Sequence, residues 1–213
     1  MSEASVSSPV PPQLDEANAS ALEAGRPQLA DRTVLYGGSF DPPHLGHQMA
    51  CLYLLEGLGA DKIWLLPSDH HPFGKAMTPF AQRRRLCAAM AAALGPRVEI
   101  CDVESRLGGA GHTYDTLCHL QAAEPQRRFA LAIGADIVAE LPRWYRWEAI
   151  CARVPVAIIG RSGYPGPADG VQLPNLASSV LRQRRSAGQS LAGLVPVAVA
   201  VEIEAMQLYR PAP

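Results

Sequence analysis

The amino-acid sequence predicts an α/β fold, an open parallel sheet with helices on both faces. Short apolar segments rich in branched and aromatic residues alternate with longer segments of helical pattern, and four of the five apolar segments end directly in Gly or Pro. Such alternation is typical of βαβ units, in which a crossover helix joins neighbouring parallel strands. Ligands of these sheets bind at the carboxyl ends of the strands, so the loops that follow the strands are the place to look for a site.

The five apolar segments have the length and composition of buried strands. In chain order they are TVLYGG (33–38), KIWLLP (62–67), RVEIC (97–101), RFALAIG (128–134) and VPVAIIG (154–160). The intervening segments predict helices over 44–58, 79–94, 113–123 and, in a tryptophan-containing stretch, 143–151. Residues 161–175 are punctuated by Gly and Pro, which predicts an irregular loop.

The C-terminal segment PVAVAVEIEAMQLY has two periodicities at once. Alternating Val197, Val199, Val201 and Ile203 fit a strand, whereas Val199, Ile203 and Met206 fit one face of a helix. The local pattern alone favours the strand.

Composition limits the classes of partner. Residues 1–30 lack a sustained apolar period, so we expect a flexible N-terminal extension followed by a single domain over residues 31–213. The chain has 19 Lys and Arg against 20 Asp and Glu, which excludes a broad basic field, and we expect no nucleic-acid partner. Five cysteines without a CxxC pair or a secretory signal favour the cytoplasm, and no apolar run suits a membrane span. The sequence leaves open whether the chain forms a homo-oligomer.

The stretch YGGSFDPPHLGHQ (36–48) follows the first predicted strand. Gly37 and Gly38 let the backbone approach an anion, and the amides of the following helix point at it with a favourable dipole. Pro43 cannot lie inside a helix, so the helix should begin at about His44. His44 and His47 then share one helical face and are suited to donate hydrogen bonds to a phosphorus centre under attack.

Three other interpretations of the motif remain. The histidines could bind a metal, but there is no HExxH and no carboxylate at ligand spacing. The run Gly37 to Asp41 also resembles a nucleophile elbow that lacks its last glycine. Finally, the histidines could serve only to cap a helix.

GGSFDPPHLGH resembles the HxGH signature of the nucleotidyltransferase superfamily, whose Rossmann-like fold supports transfer of AMP or CMP from a nucleoside triphosphate. Four further segments resemble, in order, motifs of the bacterial nicotinate mononucleotide adenylyltransferases. They are GHTYDTL (111–117), GADIVAELPRWYRWEAI (134–150), LASSVLR (176–182) and the tail from Pro196 to Tyr209. The resemblance covers nearly everything from residue 32 onward, and it implies a C-terminal helical segment in place of the locally favoured strand.

The resemblance implies transfer of AMP from ATP to nicotinate mononucleotide, with Mg²⁺ accompanying ATP. Among the residues it implies, those that assist the transfer are His44, His47, Lys75 and Arg182. Those that bind ATP are Gly38, Ser39, Phe40, Gly134, Asp136, Arg161, Ser178 and Ser179, with the two serines also expected to cap their helix. Those that bind the acceptor are Thr113, Trp144 and Tyr145.

The chain departs from the family pattern at two places. The loop before Lys75 is one residue longer than the family's P-P-H-K, and Ala177 stands where the family has its first serine. The rival functions are transfer to nicotinamide mononucleotide or phosphopantetheine, cytidylyl transfer, and nucleotide binding without catalysis. For single residues the plainer alternatives are a solvated Lys75, a helix-capping Asp136 and a core Trp144. Of Arg83, Arg84 and Arg85, at least two should face solvent.

Overall fold

The computed structural model describes residue 27 and residues 29–69, 76–108, 111–167 and 170–210. Its centre is a six-stranded sheet in the order β3-β2-β1-β4-β5-β6, in which every neighbouring pair is parallel. The strands are β1 (Thr33–Gly38), β2 (Lys62–Pro67), β3 (Val98–Ile100), β4 (Phe129–Gly134), β5 (Val156–Arg161) and β6 (Gln172–Leu173). The predicted fold class and all five predicted strands are confirmed.

Helices lie on both faces of the sheet. They are α1 (Leu45–Leu52), α2 (Phe80–Ala92), α3 (Val103–Leu107), α4 (Thr113–Ala123), α5 (Trp147–Arg153), α6 (Ser178–Ser186) and α7 (Val197–Ala205). A π-helical turn, Tyr53–Gly57, continues α1, and a 3-10 segment, Ala135–Arg143, follows β4. None of the helices in the described ranges is long and apolar enough to cross a bilayer.

Two expectations about the loops and helices need correction, and one helix was not expected. The loop predicted over 161–175 contains β6, whose two residues pair with Gly160 and Arg161 of β5. A strand of two residues is too short to show an alternating pattern in the sequence, so only its pairing with β5 identifies it. The helix predicted over 143–151 begins only at Trp147, because Arg146 adopts a left-handed conformation with φ 57°. The helix α3 was not foreseen.

The C-terminal segment is a helix, so the strand favoured by local alternation was wrong and the resemblance was right. Val199 and Ile203 are buried one turn apart, while Val197 and Val201 are 83% and 60% exposed. The segment packs on α2 and has no free sheet edge beside it among its described contacts. Burial of one helical face therefore outweighs the β propensity of valine.

The core has two parts, one on each face of the sheet. One part contains Val34, Leu54 and Met90, and the other contains Leu35, Leu117 and Ile150. Leu29, inside the expected extension, is fully buried in the first part and its amide donates to the carbonyl of Leu58. Packing therefore begins at least two residues before the expected domain start, and the division of the chain at residue 31 stays a prediction.

The order in which strands are added to the sheet reverses beside β1. The sheet grows from β1 through β2 to β3 on one side, and from β4 to β6 on the other. The loops that follow β1 and β4 therefore diverge and leave a crevice at their carboxyl ends, the usual ligand position in an open α/β sheet.

Candidate active site

The turn after β1 places the two histidines at the start of α1. His44 is the N-cap residue, with extended dihedrals, and the helix begins at Leu45, as Pro43 predicts. The helix N-terminus lies beside the crevice, because α1 follows the carboxyl end of β1 directly. This geometry brings helix amides and imidazoles to one place.

The two imidazoles stack on each other. Their ring centroids are 3.7 Å apart and the planes differ by 21°. The backbone amide of His44 donates to Nδ1 of His47 at 3.1 Å, so in the neutral ring of His47 the proton is assigned to Nε2, which is then a donor. Nδ1 of His44 is buried and has no hydrogen-bond partner in the described part of the chain.

Both histidines are uncharged at neutral pH. Burial, assisted by the charge of Arg161, lowers the pKa of His44 to about 3. Burial also lowers the pKa of His47 well below its usual value, with smaller contributions from His44 and Arg161. The pair can therefore donate N–H hydrogen bonds but supplies no positive charge.

The ring of Phe40 packs against the imidazole of His47. Its buried ring meets the imidazole edge-on at 4.9 Å and the ring of Tyr36 at 5.8 Å. Phe40 adopts φ 46°, a left-handed conformation that packing must hold in place. A Cβ on Gly38 would lie 3.3 Å from the Phe40 ring, a tight contact that a side chain at this position would have to relieve by a small shift. The Phe40 side chain thus packs against its neighbours, and the predicted contact with ATP falls to the backbone of Phe40 and Ser39.

Two buried charged side chains that the sequence did not single out hold this turn. Arg83, 1% exposed, donates to the carbonyls of Thr78 at 2.7 Å, Ser39 at 2.9 Å and Ser68 at 2.6 Å. Asp41, 2% exposed, accepts from the amide of Thr78 at 3.2 Å. Arg83 was predictable only as one of three consecutive arginines, of which the other two are indeed mainly solvent-exposed.

The helix α6 meets the same turn. The hydroxyl of Ser178 donates to the carbonyl of Pro42 at 2.9 Å, and Nη1 of Arg182 donates to the carbonyl of Asp41 at 2.6 Å. The expectation that the serines cap α6 was wrong, because Ala177 occupies the N-cap position and the Ser178 hydroxyl is directed to Pro42.

Arg182 and the half-buried Ser179 line an open cleft with Gln183, Ser186, Tyr209 and Arg210. The chain thus brings one of the predicted cations to the edge of the histidine turn.

Asp136 and Arg161 form an ion pair. Their closest atoms are 2.6 Å apart, with side chains 28% and 17% exposed. Asp136 follows β4 and Arg161 is the last residue of the adjacent strand β5, so the sheet itself brings them together. A Cβ on Gly134 would collide with the Asp136 carboxylate, so the pair requires the glycine. Asp136 does not cap the following helical segment with its side chain.

A small pocket adjoins this pair at the carboxyl ends of the central strands. Its wall includes Tyr36, Arg161 and Leu173, together with Gly46, Gly134 and Gly160. Three glycines in one wall let a ligand approach the backbone closely.

The residues predicted for the acceptor form a separate aromatic group. Trp144 follows the 3-10 segment and meets Trp147 edge-on at 5.9 Å; both are partly buried against the core. Tyr145 is 44% exposed, and its ring stacks on that of His112 with the ring centroids 4.7 Å apart. His112 directly precedes Thr113, the first residue of α4. Since α4 runs toward the start of β4, its N-terminus lies on the crevice side of the sheet.

Two further expectations concern positive charge and metal. Lys75 lies outside the described residues. Among those described, no three His, Cys, Asp or Glu side chains gather as metal ligands, and the alternative of a histidine metal pair gains no support from the geometry.

Donor histidines and a cation meet at one turn beside the switch point of a parallel sheet, an arrangement suited to nucleotide phosphates rather than to covalent catalysis. The sequence profile of the cytidylyltransferase-like family matches residues 35–201. The chain belongs to this family of nucleotidyltransferases.

More specific likeness comes from curated relatives. A protein of Anaeromyxobacter dehalogenans named "Probable nicotinate-nucleotide adenylyltransferase" is 42% identical over 179 residues, covering 83% of this chain and 95% of the relative. One of Myxococcus xanthus with the same name is 38% identical, covering 78% of this chain and 88% of the relative. In fold, the chain resembles the nicotinic acid mononucleotide adenylyltransferase of Plasmodium falciparum complexed with NaAD. The TM-score is 0.70 at 18% identity, and the match covers 84% of this chain and 97% of that one.

Proposed function

We propose that this protein transfers AMP from ATP to nicotinate mononucleotide, giving deamido-NAD and pyrophosphate. The observation that carries the proposal is the stacked pair His44 and His47 at the N-terminus of α1, with Arg182 bonded to the same turn. The named relatives supply the acceptor, because relatives with the nicotinate-nucleotide adenylyltransferase name align along most of the chain.

The reaction is an in-line displacement. An oxygen of the acceptor's 5′-phosphate attacks the α-phosphorus of ATP, the bond between the α-phosphorus and the bridging oxygen breaks, and pyrophosphate leaves. No group of the protein becomes covalently attached, so catalysis consists of positioning and of stabilising charge on the phosphoryl oxygens.

The histidines act as neutral donors in this proposal. Their lowered pKa values leave each imidazole with one N–H, and Nε2 of His47 is the nitrogen left free to donate to a phosphate oxygen. Positive charge must then come from Arg182, from Lys75 and from the Mg²⁺ that accompanies ATP. Such an ion would neutralise phosphate oxygens; the described residues offer it no ligand cluster of their own.

The ATP side of the site extends from the histidine turn toward β5. Gly38, Ser39 and Phe40 present backbone at the turn, and Ser178 and Ser179 open α6 beside it. The Asp136–Arg161 pair lies beside the small pocket near Gly134, and the hydroxyls and amine of the nucleoside can hydrogen-bond both members of the pair.

The acceptor side is the aromatic group. Trp144 offers a flat face to a pyridine ring, and Tyr145 and Thr113 lie at the α4 N-terminus, which favours a carboxylate or phosphate. The α4 dipole is the physical reason to expect preference for nicotinate, whose ring carries a carboxylate, over nicotinamide, whose ring carries an uncharged carboxamide at the same position.

An acceptor panel tests the proposal. Pyrophosphate release is measured with ATP and Mg²⁺ plus nicotinate mononucleotide, nicotinamide mononucleotide or phosphopantetheine. We expect release with the first and at most weak release with the others. His44→Ala and His47→Ala should each lower kcat by about 100-fold or more while the protein remains folded, which circular dichroism checks. Release with phosphopantetheine alone, or ATP binding without release for any acceptor, would refute the assignment.

A further inference from the structure

Tyr209 joins the C-terminal end of the chain to the histidine turn. Its hydroxyl donates to Oδ1 of Asp41 at 2.7 Å, across 168 residues of sequence. The other carboxylate oxygen of Asp41 accepts from the amide of Thr78 and lies 3.8 Å from Nη1 of Arg182. A carboxylate that is 2% exposed is thus held by two hydrogen-bond donors and one ion pair, from three separate segments.

The backbone near Tyr209 is unusual for its residue types. Tyr209 has φ 57° and Gln207 has φ 54°, both left-handed conformations that side-chain-bearing residues rarely adopt. Such conformations persist only where surrounding contacts determine them. The Tyr209 hydroxyl bonds to the side chain of Asp41 and also contacts the side chain of Thr78, and burial together with Asp41 raises the pKa of that hydroxyl, so it remains a donor.

Asp41 is placed to transmit this contact. It lies three residues before His44, and its own carbonyl accepts the 2.6 Å hydrogen bond from Arg182. The side chain of Asp41 therefore sets the position of a carbonyl that in turn holds the guanidinium. A second contact ties the same part of the chain to α1, because the amide of Leu45 donates to the carbonyl of Leu194.

We propose that Tyr209 is a positioning residue for ATP: its hydroxyl holds Asp41, and Asp41 holds Arg182 against the triphosphate. This inference rests on the proposed function for the identity of the ligand. It assigns a role in nucleotide binding to Tyr209, the last residue of the C-terminal motif.

The test compares Tyr209→Phe with Tyr53→Phe, which removes a hydroxyl at the far end of α1. Dissociation constants for ATP with Mg²⁺ are measured by calorimetry, and KM is measured for both substrates. For Tyr209→Phe we expect an ATP dissociation constant raised about 5-fold to 10-fold and an acceptor KM changed less than about 2-fold. Tyr53→Phe should match the parent protein. Because Asp41 keeps its bond from Thr78, the variant should fold.

A double-mutant cycle with Arg182→Ala separates positioning from general loosening. If Tyr209 acts through Arg182, Tyr209→Phe should change the ATP dissociation constant less than about 2-fold in the Arg182→Ala background. An equal effect in both backgrounds, or an equal loss for both substrates, would overturn the assignment. The calorimetric cycle needs no turnover, so absence of pyrophosphate release would refute the proposed function while the cycle still decides the role of Tyr209.

Discussion

The neutral state of His44 has a measurable consequence for stability. In the folded protein its pKa is about 3, because the ring is buried and faces the charge of Arg161. In the unfolded chain the pKa should return to about 6.5. Between these values the unfolded state binds a proton that the folded state does not, so stability falls as the pH falls below about 6.5 and continues to fall until about pH 3.

The size of the effect follows from the shift. Each pH unit within that window is worth about 1.4 kcal/mol per proton, and from pH 6.5 to pH 4.5 the His44 contribution is about 2 kcal/mol, once half-titration at the upper limit is allowed for. Replacement by a residue that does not titrate, His44→Gln, removes this contribution. The parent protein should therefore lose about 2 kcal/mol more than the variant over that interval.

Urea denaturation at the two pH values measures the difference directly. Carboxylates titrate over the same range, but they are shared by the two proteins and cancel in the comparison. His119→Gln, at an exposed position on α4, is the matched control and should behave as the parent does. Equal losses in the parent protein and in His44→Gln would show that His44 is not held neutral, and the picture of a neutral donor pair would have to be abandoned.

Three further predictions concern other parts of the site. Arg83→Met should lower the unfolding free energy, measured in urea, by about 3–5 kcal/mol, because three carbonyls lose a buried donor. Arg83→Lys should have a stability between those of the parent protein and Arg83→Met. A loss below about 1 kcal/mol for Arg83→Met would contradict the network. Gly160→Ala places a Cβ 2.5 Å from the carbonyl oxygen of Val171 and should cost about 1–3 kcal/mol, whereas Gly37→Ala, with nothing within 4 Å, should leave stability unchanged; equal values for the two would argue against this packing. Arg161→Ala should raise the pKa of His44 in an NMR titration, yet leave it below the usual value because burial is the larger cause; an unchanged or lower pKa would refute the electrostatic link.

Local sequence was sufficient where a residue's role depends on its immediate neighbours. The strand ending at Gly38, the helix start after Pro43 and the shared face of His44 and His47 all follow from turn chemistry and helical spacing. The order of strands and helices followed from periodicity, and the parallel sheet followed from that order.

Local sequence was insufficient where long-range contacts decide. The strand β6 exists because β5 is beside it, and α7 is a helix because α2 buries one of its faces. The hydroxyl of Ser178 was expected to cap α6, but it donates to the carbonyl of Pro42, 136 residues away. The periodicity of the sequence gives no information about a hydrogen bond between residues so far apart along the chain.

The sequence by itself determined the fold class, the phosphate-binding turn and, through several spaced motifs, the family. Only the tertiary structure decided the state of the site: which histidine nitrogen is free to donate, and that Asp136 faces Arg161. It also decided that Asp41 is held by Tyr209 from the far end of the chain. The reason is physical, because charge states and hydrogen-bond partners depend on burial and on atoms brought close in space, which the order of residues along the chain does not specify.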